Sequence, residues 1–408
     1  MKVIDTANHA VAYAAKLARV EVVSAYPITP QTQVIEEISR LIDEGIMDCE
    51  YIPVESEHSA QAALIGASAT GVRVFSATSS HGLAYMHELL HWAAAVRLPI
   101  VMVNVNRAMG PGWNIWCDHQ DSIAARDTGW IQLYCASHQE CVDPLIQAFR
   151  IAEDHKVVMP VMVNYDAFVL SHTYMKVEFP DQELVDRFLP ELDPMWKLDL
   201  DNPMTHGSVI YPDDYEEVRF SMQQGHQNAR TVIAAAADEY RDIVGNFHGA
   251  LTEEFMTEDA EHIIVAMGSI ASEAKMAVKQ LREGGLACGV VRVRSFRPFP
   301  VEELRGVMRG KRTLVVIDRD CSFGLEGALF SDVKAASYGH SDARAYNLIT
   351  GLGGRDVTYG LLADCVRAAV EGKAETVRWP ALRLNEHHLA SKRGVEAARQ
   401  GRQKRSAS

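Results

Sequence analysis

The sequence predicts an α/β protein built from two parallel-sheet domains. Short apolar runs, often rich in Val and Ile, alternate with segments of helical periodicity. The alternation breaks off near residue 175 and restarts near 256, which divides the chain in two. Polar residues with chemical capacity fall just after several apolar runs, where open parallel sheets gather their ligand-binding groups.

Taken in order, strands are expected at 22–26, 50–54, 72–78, 100–106, 130–136 and 157–165. Asp5 and His9 lie in a helical pattern ahead of them. Helices are expected at 30–44, 56–70, 81–95 and 139–153. The first carries Val34, Ile35, Ile38, Leu41 and Ile42 on one stripe, with Pro30 suited to its first turn. Strands apolar along their whole length call for a parallel sheet covered on both faces. Residues 175–255 are acidic and proline-containing and lead into a polar helix near 213–247, an extended connection wrapping the first domain. The second domain repeats the alternation on a smaller scale. Its strands are expected at 263–267, 289–293, 314–317 and 346–349, its helices at 271–284, 301–309, 327–338 and 357–371. The resulting division is 1–174, 175–255, 256–380 and a basic tail at 381–408, which carries Lys392, Arg393, Arg399, Arg402, Lys404 and Arg405.

Composition limits the function. With 408 residues, 48% of them hydrophobic, the chain has ample material for two cores. A net charge of −14 disfavours a general nucleic-acid binder and supplies no long-range pull on an anionic substrate, so any anion site must be built locally. Apolar runs such as 98–103 fall far short of the roughly 18 residues that span a membrane. With no apolar signal core near Met1, a soluble, cytoplasmic protein is expected. The seven cysteines are scattered and form no Cys-x-x-Cys, so neither a disulfide framework nor an iron–sulfur cluster is expected from this chain, and they read as small buried hydrophobes.

Three strand ends carry the candidate chemistry: Ala25-Tyr26-Pro27-Ile28-Thr29-Pro30, Val54-Glu55-Ser56-Glu57-His58 and Asn106-Arg107-Ala108. Thr29, Glu57 and Arg107 would bring a hydroxyl, a carboxylate and a guanidinium together, a set suited to a cofactor base and an anionic substrate. Glu55 competes with Glu57 if the register slips by two residues. A second motif, His87-Glu88-Leu89-Leu90-His91, matches the zinc-protease pattern His-Glu-x-x-His. A catalytic zinc needs a third ligand, yet Ala94 and Arg97 stand where a metzincin has Gly and His, and the next Glu is Glu140. A zinc metalloprotease is therefore the disfavoured alternative, and no metal ligand is assigned.

The candidate strings occur in a recognisable order: Tyr26-Pro27-Ile28-Thr29-Pro30, Glu55-Ser56-Glu57-His58, Ala77-Thr78-Ser79-Ser80-His81-Gly82, Asn106-Arg107-Ala108 and Asp118-His119-Gln120-Asp121. They continue with Arg294-Ser295-Phe296-Arg297-Pro298-Phe299-Pro300, Asp318-Arg319-Asp320 and Gly351-Leu352-Gly353-Gly354-Arg355-Asp356. Over about residues 1–375 the chain resembles the alpha subunit of the pyruvate:ferredoxin oxidoreductase family. The resemblance implies a thiamine-diphosphate pyrimidine-type domain followed by a transketolase C-terminal-like domain. It implies oxidative decarboxylation of a 2-oxoacid to an acyl-CoA, with coenzyme A as co-substrate and electrons leaving singly through iron–sulfur clusters to ferredoxin or a similar acceptor. Glu57 matches the glutamate beside the cofactor aminopyrimidine, where a carboxylate on the ring nitrogen makes the exocyclic nitrogen basic. Thr29 and Arg107 match the residues that contact the oxoacid. Asp118–Asp121 reads as a loop element or helix cap beside the site, and the glycines of 322–327 and 351–354 as turns and interface.

No Gly-Asp-Gly followed by Asn, the usual metal-diphosphate motif of thiamine enzymes, is present. By the resemblance, diphosphate and Mg2+ lie on a beta subunit, [4Fe-4S] clusters on a ferredoxin-like delta subunit and a further domain on a gamma subunit. The expected assembly is a dimer of hetero-oligomers, in which this chain supplies half a site and is inactive alone. Met109-Gly110-Pro111-Gly112-Trp113 departs from pyruvate-acting relatives, and His81 stands where Gln is more usual. The two glycines leave room for a side chain larger than methyl, so an aromatic 2-oxoacid such as phenylglyoxylate stands beside pyruvate.

Overall fold

A computed structural model describes residues 1–383, so the tail cations at 392–405 lie outside the described residues. The first part of the chain runs β1 (Lys2–Asp5), α1 (Ala7–Leu17), β2 (Val22–Ala25), α2 (Thr32–Asp43), β3 (Glu50–Pro53), α3 (Glu57–Ala69) and β4 (Val74–Thr78). It continues with α4 (Ser80–Tyr85), α5 (His87–Ala95), β5 (Val101–Asn106), α6 (Gln120–Ala124), β6 (Ile131–Tyr134), α7 (His138–Glu153) and β7 (Val161–Asp166). The connection contains β8 (Met175–Glu178), α8 (Gln182–Phe188) and the long α9 (Pro212–Val244). Then come β9 (Thr252–Phe255), β10 (His262–Met267), α10 (Ile270–Glu283), β11 (Cys288–Val293), β12 (Ser295–Arg297) and α11 (Val301–Met308). The last elements are β13 (Thr313–Asp318), α12 (Ala328–Ser337), β14 (Arg344–Ile349), α13 (Tyr359–Val370) and β15 (Val377–Arg378).

These strands form a seven-stranded sheet in the order β12-β6-β7-β5-β4-β2-β3 and a six-stranded sheet in the order β15-β14-β13-β10-β11-β9. A two-stranded ribbon, β1-β8, stands apart. Every residue of β4, β5, β6 and β7 is buried, which is why these strands read as unbroken apolar runs. The helices obey their local signals. Ser56 caps α3 by accepting from Ser59 N at 3.1 Å, and α2 buries Val34, Ile35, Ile38 and Leu41 as its stripe foretold. α9 starts on Pro212 and ends at Gly245, whose φ of +100° is the left-handed stop that glycine adopts freely. It packs along α5, α7 and α8.

Four expectations are corrected. Neither sheet is purely parallel: β12 runs antiparallel to β6 and β9 antiparallel to β11, and the β1-β8 ribbon was not anticipated. The single helix expected at 81–95 is two, meeting at Met86, because α4 packs on α6 while α5 packs on α9. The strand expected from 157 begins only at Val161, since Val157 and Val158 donate back to Asp154 O in a turn with Val158 at φ +40°. All seven cysteines are free, and Cys49 alone is not fully buried.

β12 belongs in sequence to the second sheet's chain yet edges the first sheet, and buried ion pairs reinforce that seam. Arg292 binds Glu140 at 2.5 Å and Glu253 at 2.6 Å. Asp166, at the end of β7, takes Arg319 Nη1 at 2.6 Å and His119 Nε2 at 2.8 Å. The two sheets are thus joined through charge as well as through β12, which leaves the second sheet's run of chain to pair with β6.

Candidate active site

β2, β3, β4 and β5 run parallel, so the segments that follow them emerge along one edge. That edge brings together the loop to Thr29, the start of α3 at Glu57, His81 in α4 and Arg107 after β5. Glu57 is only 8% exposed, and no group among the described residues donates to its carboxylate. A Cβ at Gly82 would fall 2.6 Å from Thr78 Oγ1 and 2.7 Å from Glu57 Oε1, so α4 lies against the carboxylate only because position 82 has no side chain. Thr78 Oγ1 and both polar atoms of Gln61, one turn beyond Glu57 on α3, are buried without a partner. Buried polar groups are nearly always paired, so three orphans beside a lone carboxylate mark a place built for a polar ligand. Glu55, the competing candidate, is exposed and accepts from Ser59 Oγ at 2.5 Å.

Arg107 is 4% exposed. Its Nη1 donates to the Thr29 carbonyl at 2.7 Å, its Nη2 lies 3.3 Å from His81 Nδ1, and its Nε is buried and unpartnered. Burial lowers its affinity for a proton while the charges of Asp121 and Glu57 raise it; a guanidinium keeps its charge under such pressure. The Thr29 residue itself is exposed, so it is the backbone of position 29 that meets Arg107 while the residue stands at the open mouth.

Sequence reasoning underrated Asp121, for which it weighed helix capping. Its buried carboxylate accepts from Ser80 N at 3.0 Å, Arg107 N at 3.1 Å, Asn106 Nδ2 at 2.8 Å, Asn104 Nδ2 at 3.3 Å and Ser122 N at 2.7 Å. Burial pushes its proton affinity up and these donors pull it back. It thereby fixes the ends of β4 and β5, including Ser80, which sits at a left-handed φ of +49°. Asp121→Asn keeps the shape but turns an NH2 group toward donors, and a cost of about 1–3 kcal/mol is expected. Calorimetry of the purified protein checks this; an unchanged Tm would remove Asp121 from its organising role.

Two other clusters define what the edge is not. The rings of His87 and His91 are 5.1 Å apart, but neither joins a three-ligand set among the described residues. Cys117, His119 and Asp166 do hold ligating atoms within 4.8 Å of one another. However, Asp166 is already engaged by Arg319, His119 and Ser269 N, and a cation would have to displace the guanidinium. Asp118, pushed up to about 6 by burial with the charge of Asp121 adding, accepts from Gly353 N at 3.4 Å. Gly354 N donates to Cys117 O at 2.7 Å, so the glycine turn after β14 grips the loop that carries Asp118.

Two family models cover most of the chain. Residues 13–238 match "Pyruvate flavodoxin/ferredoxin oxidoreductase, thiamine diP-bdg", and residues 260–362 match "Pyruvate:ferredoxin oxidoreductase core domain II". The chain is 47% identical to ketoisovalerate oxidoreductase subunit VorA of Pyrococcus abyssi, over 93% of this chain and 97% of that protein. It is 45% identical to pyruvate synthase subunit PorA of Methanothermobacter thermautotrophicus, over 94% and 98% respectively. Among solved structures, the 2-oxoglutarate:ferredoxin oxidoreductase from Magnetococcus marinus superimposes with a TM-score of 0.68 at 18% identity. That match covers 90% of this chain and 65% of the larger one. A split-gene transketolase superimposes with a TM-score of 0.55 at 14% identity, over 90% of this chain and 99% of the other. At such identities these two speak for the fold alone, an α/β architecture with parallel-dominated sheets. The chain belongs to the pyruvate:ferredoxin oxidoreductase family, as an alpha-type subunit of the PorA and VorA kind.

Proposed function

We propose that this subunit forms the half of a thiamine-diphosphate site that takes the aminopyrimidine ring and the 2-oxoacid, in an enzyme that converts the oxoacid, with coenzyme A, to an acyl-CoA and carbon dioxide. The observation that carries the reading is Glu57, a buried carboxylate without a described partner at the strand edge it shares with Arg107. A carboxylate at such a mostly covered position is suited to a charge-assisted bond to a ring nitrogen. The orphaned Gln61 and Thr78 groups and the space kept by Gly82 fit the polar edge of the same ring.

Thiamine diphosphate, when bound, supplies a carbon nucleophile for the keto carbon. Glu57 would be the residue that holds the aminopyrimidine, its carboxylate sharing a proton with the ring nitrogen and so favouring a basic exocyclic nitrogen. Arg107 offers the oxoacid carboxylate the N–H groups not committed to Thr29 and His81, and the Thr29 hydroxyl adds a donor at the mouth. The guanidinium must hold that carboxylate without trapping it, because it departs as carbon dioxide. Arg107→Ala in the complete complex is expected to lower kcat/KM about a hundredfold with Tm little changed. Steady-state assays decide, and wild-type kinetics would end the substrate role.

The substrate we propose is a 2-oxoacid with an apolar side chain larger than methyl. Gly110 and Gly112 follow the arginine, and a Cβ at Gly112 would meet nothing within 4 Å. A panel of pyruvate, 2-oxoisovalerate and phenylglyoxylate, assayed with coenzyme A and a dye acceptor, tests this; a kcat/KM highest for pyruvate would contradict it.

The rest of the site we assign to partner chains. Large side chains attached to the site stand exposed: Tyr26 beside the Thr29 loop, Tyr85 on the His58 ring, Trp113 on His81, and Trp116. Such a surface suits coverage by another subunit. A beta subunit carrying diphosphate and Mg2+, a ferredoxin-like delta subunit with [4Fe-4S] clusters, and a gamma subunit complete the proposed complex, with ferredoxin or a similar protein as acceptor. No described helix is long and apolar enough to cross a membrane.

A further inference from the structure

We propose that His81 is a positioning residue that latches the loop 109–113 to Arg107, its imidazole holding the guanidinium with one nitrogen and the loop with the other. The proposal rests on the reading of Arg107 as the substrate arginine. Arg107 Nη2 lies 3.3 Å from His81 Nδ1, and a guanidinium can only donate, so this contact calls for an unprotonated Nδ1. The other nitrogen, Nε2, lies 3.2 Å from Gly110 O and 3.1 Å from Gly110 N, so both backbone polar groups of that residue close on the ring.

The surroundings keep the ring in place. A Cβ at Gly110 would lie 3.4 Å from His81 Cε1, so the loop rests on the imidazole edge. Trp113 packs against it, tilted by 50° with centroids 5.5 Å apart, and lies 6.0 Å from the Arg107 guanidinium carbon. With 81% of its surface exposed, Trp113 stands at the outer side of this pair. One residue earlier, Ser80 is pinned by Asp121 through its N–H and donates from Oγ to Ala108 O at 2.8 Å. The latch therefore joins the proposed carboxylate-binding group to the loop that follows it.

Gln at this position can accept from Arg107 with its amide oxygen and meet Gly110 with its NH2 group.

The test uses the complete complex with His81→Ala and His81→Gln. His81→Ala is expected to raise KM for the 2-oxoacid about tenfold, with a smaller change in kcat. Mass-spectrometric hydrogen exchange of the peptide covering 109–113 should become faster in the same variant. His81→Gln should restore both. Unchanged exchange and unchanged KM in His81→Ala would overturn the latch. Faster exchange with an unchanged KM would overturn its service to the substrate, and would leave the reading of Arg107 standing wherever Arg107→Ala still loses kcat/KM. Failure of Arg107→Ala itself would sink that reading instead.

Discussion

Glu57→Gln, introduced into the complete complex, is expected to lower kcat about a thousandfold while the complex assembles with unchanged Tm. The amide preserves volume and the capped start of α3, where Ser56 rather than Glu57 accepts from Ser59 N. It removes the one group at this edge that can share a proton with a ring nitrogen, and general acid–base contributions of this kind are worth about 10²–10⁴ in rate. Because the loss lies in the reaction and not in oxoacid capture, KM should move far less than kcat. The buried position predicts a second asymmetry: a neutral amide needs no partner charge, so Glu57→Gln should not destabilise the protein before the cofactor binds. Glu55→Gln serves as the control, since that carboxylate is exposed and bound to Ser59, and its turnover should be near normal. Steady-state assays of the two variants side by side separate the candidates.

The second large effect is on stability. Asp166→Ala should cost about 3–5 kcal/mol, because removing one member of a buried charge cluster strands the others. Arg319 would lose a bond of 2.6 Å and His119 one of 2.8 Å, and Ser269 would lose the acceptor for its N–H at 3.1 Å. These groups come from both sheets, so the seam between them should loosen first. Burial by itself would raise the carboxyl's proton affinity, but Arg319 and His119 outweigh it and hold the group well below the usual carboxylate range. A depressed carboxyl contributes stability above its unfolded value, near 4 on average, and loses it only as the pH falls through its lower folded value. The Tm difference between wild type and Asp166→Ala should therefore stay constant from about pH 5 to 8. Calorimetry of the complex reads both points. A Tm loss no greater than that of Asp121→Asn, or a difference that shrinks toward pH 5, would contradict the seam's electrostatic account.

What could be read from the residues alone follows from how local each signal is. Val101–Asn106 and Val161–Asp166 are buried along their whole length, so their burial is written directly into apolar runs. β9 and β12 are short and polar in part, and they exist because a strand edge is there to receive them; no local pattern announces that. The break at Met86 has no glycine or proline to mark it and comes from two different packing partners. Thr29, Glu57 and Arg107 could be singled out as candidates because they follow strand ends, whereas the burial of Glu57 and the exposure of Glu55 show only in the fold. Asp121 was missed as an organiser because its five donors come from residues 80, 104, 106, 107 and 122, a set that only the fold collects. His81 was noticed as unusual, yet its two contacts, to Arg107 and Gly110, lie 26 and 29 residues away.

The central claim is that this subunit brings a carboxylate to the ring of a thiamine cofactor. A density map of the complete complex with thiamine diphosphate bound measures it directly. The account predicts Glu57 Oε within hydrogen-bonding reach of the pyrimidine ring nitrogen, with Arg107 and Thr29 facing the reacting end. A ring held by other residues, with Glu57 turned toward solvent, would contradict it.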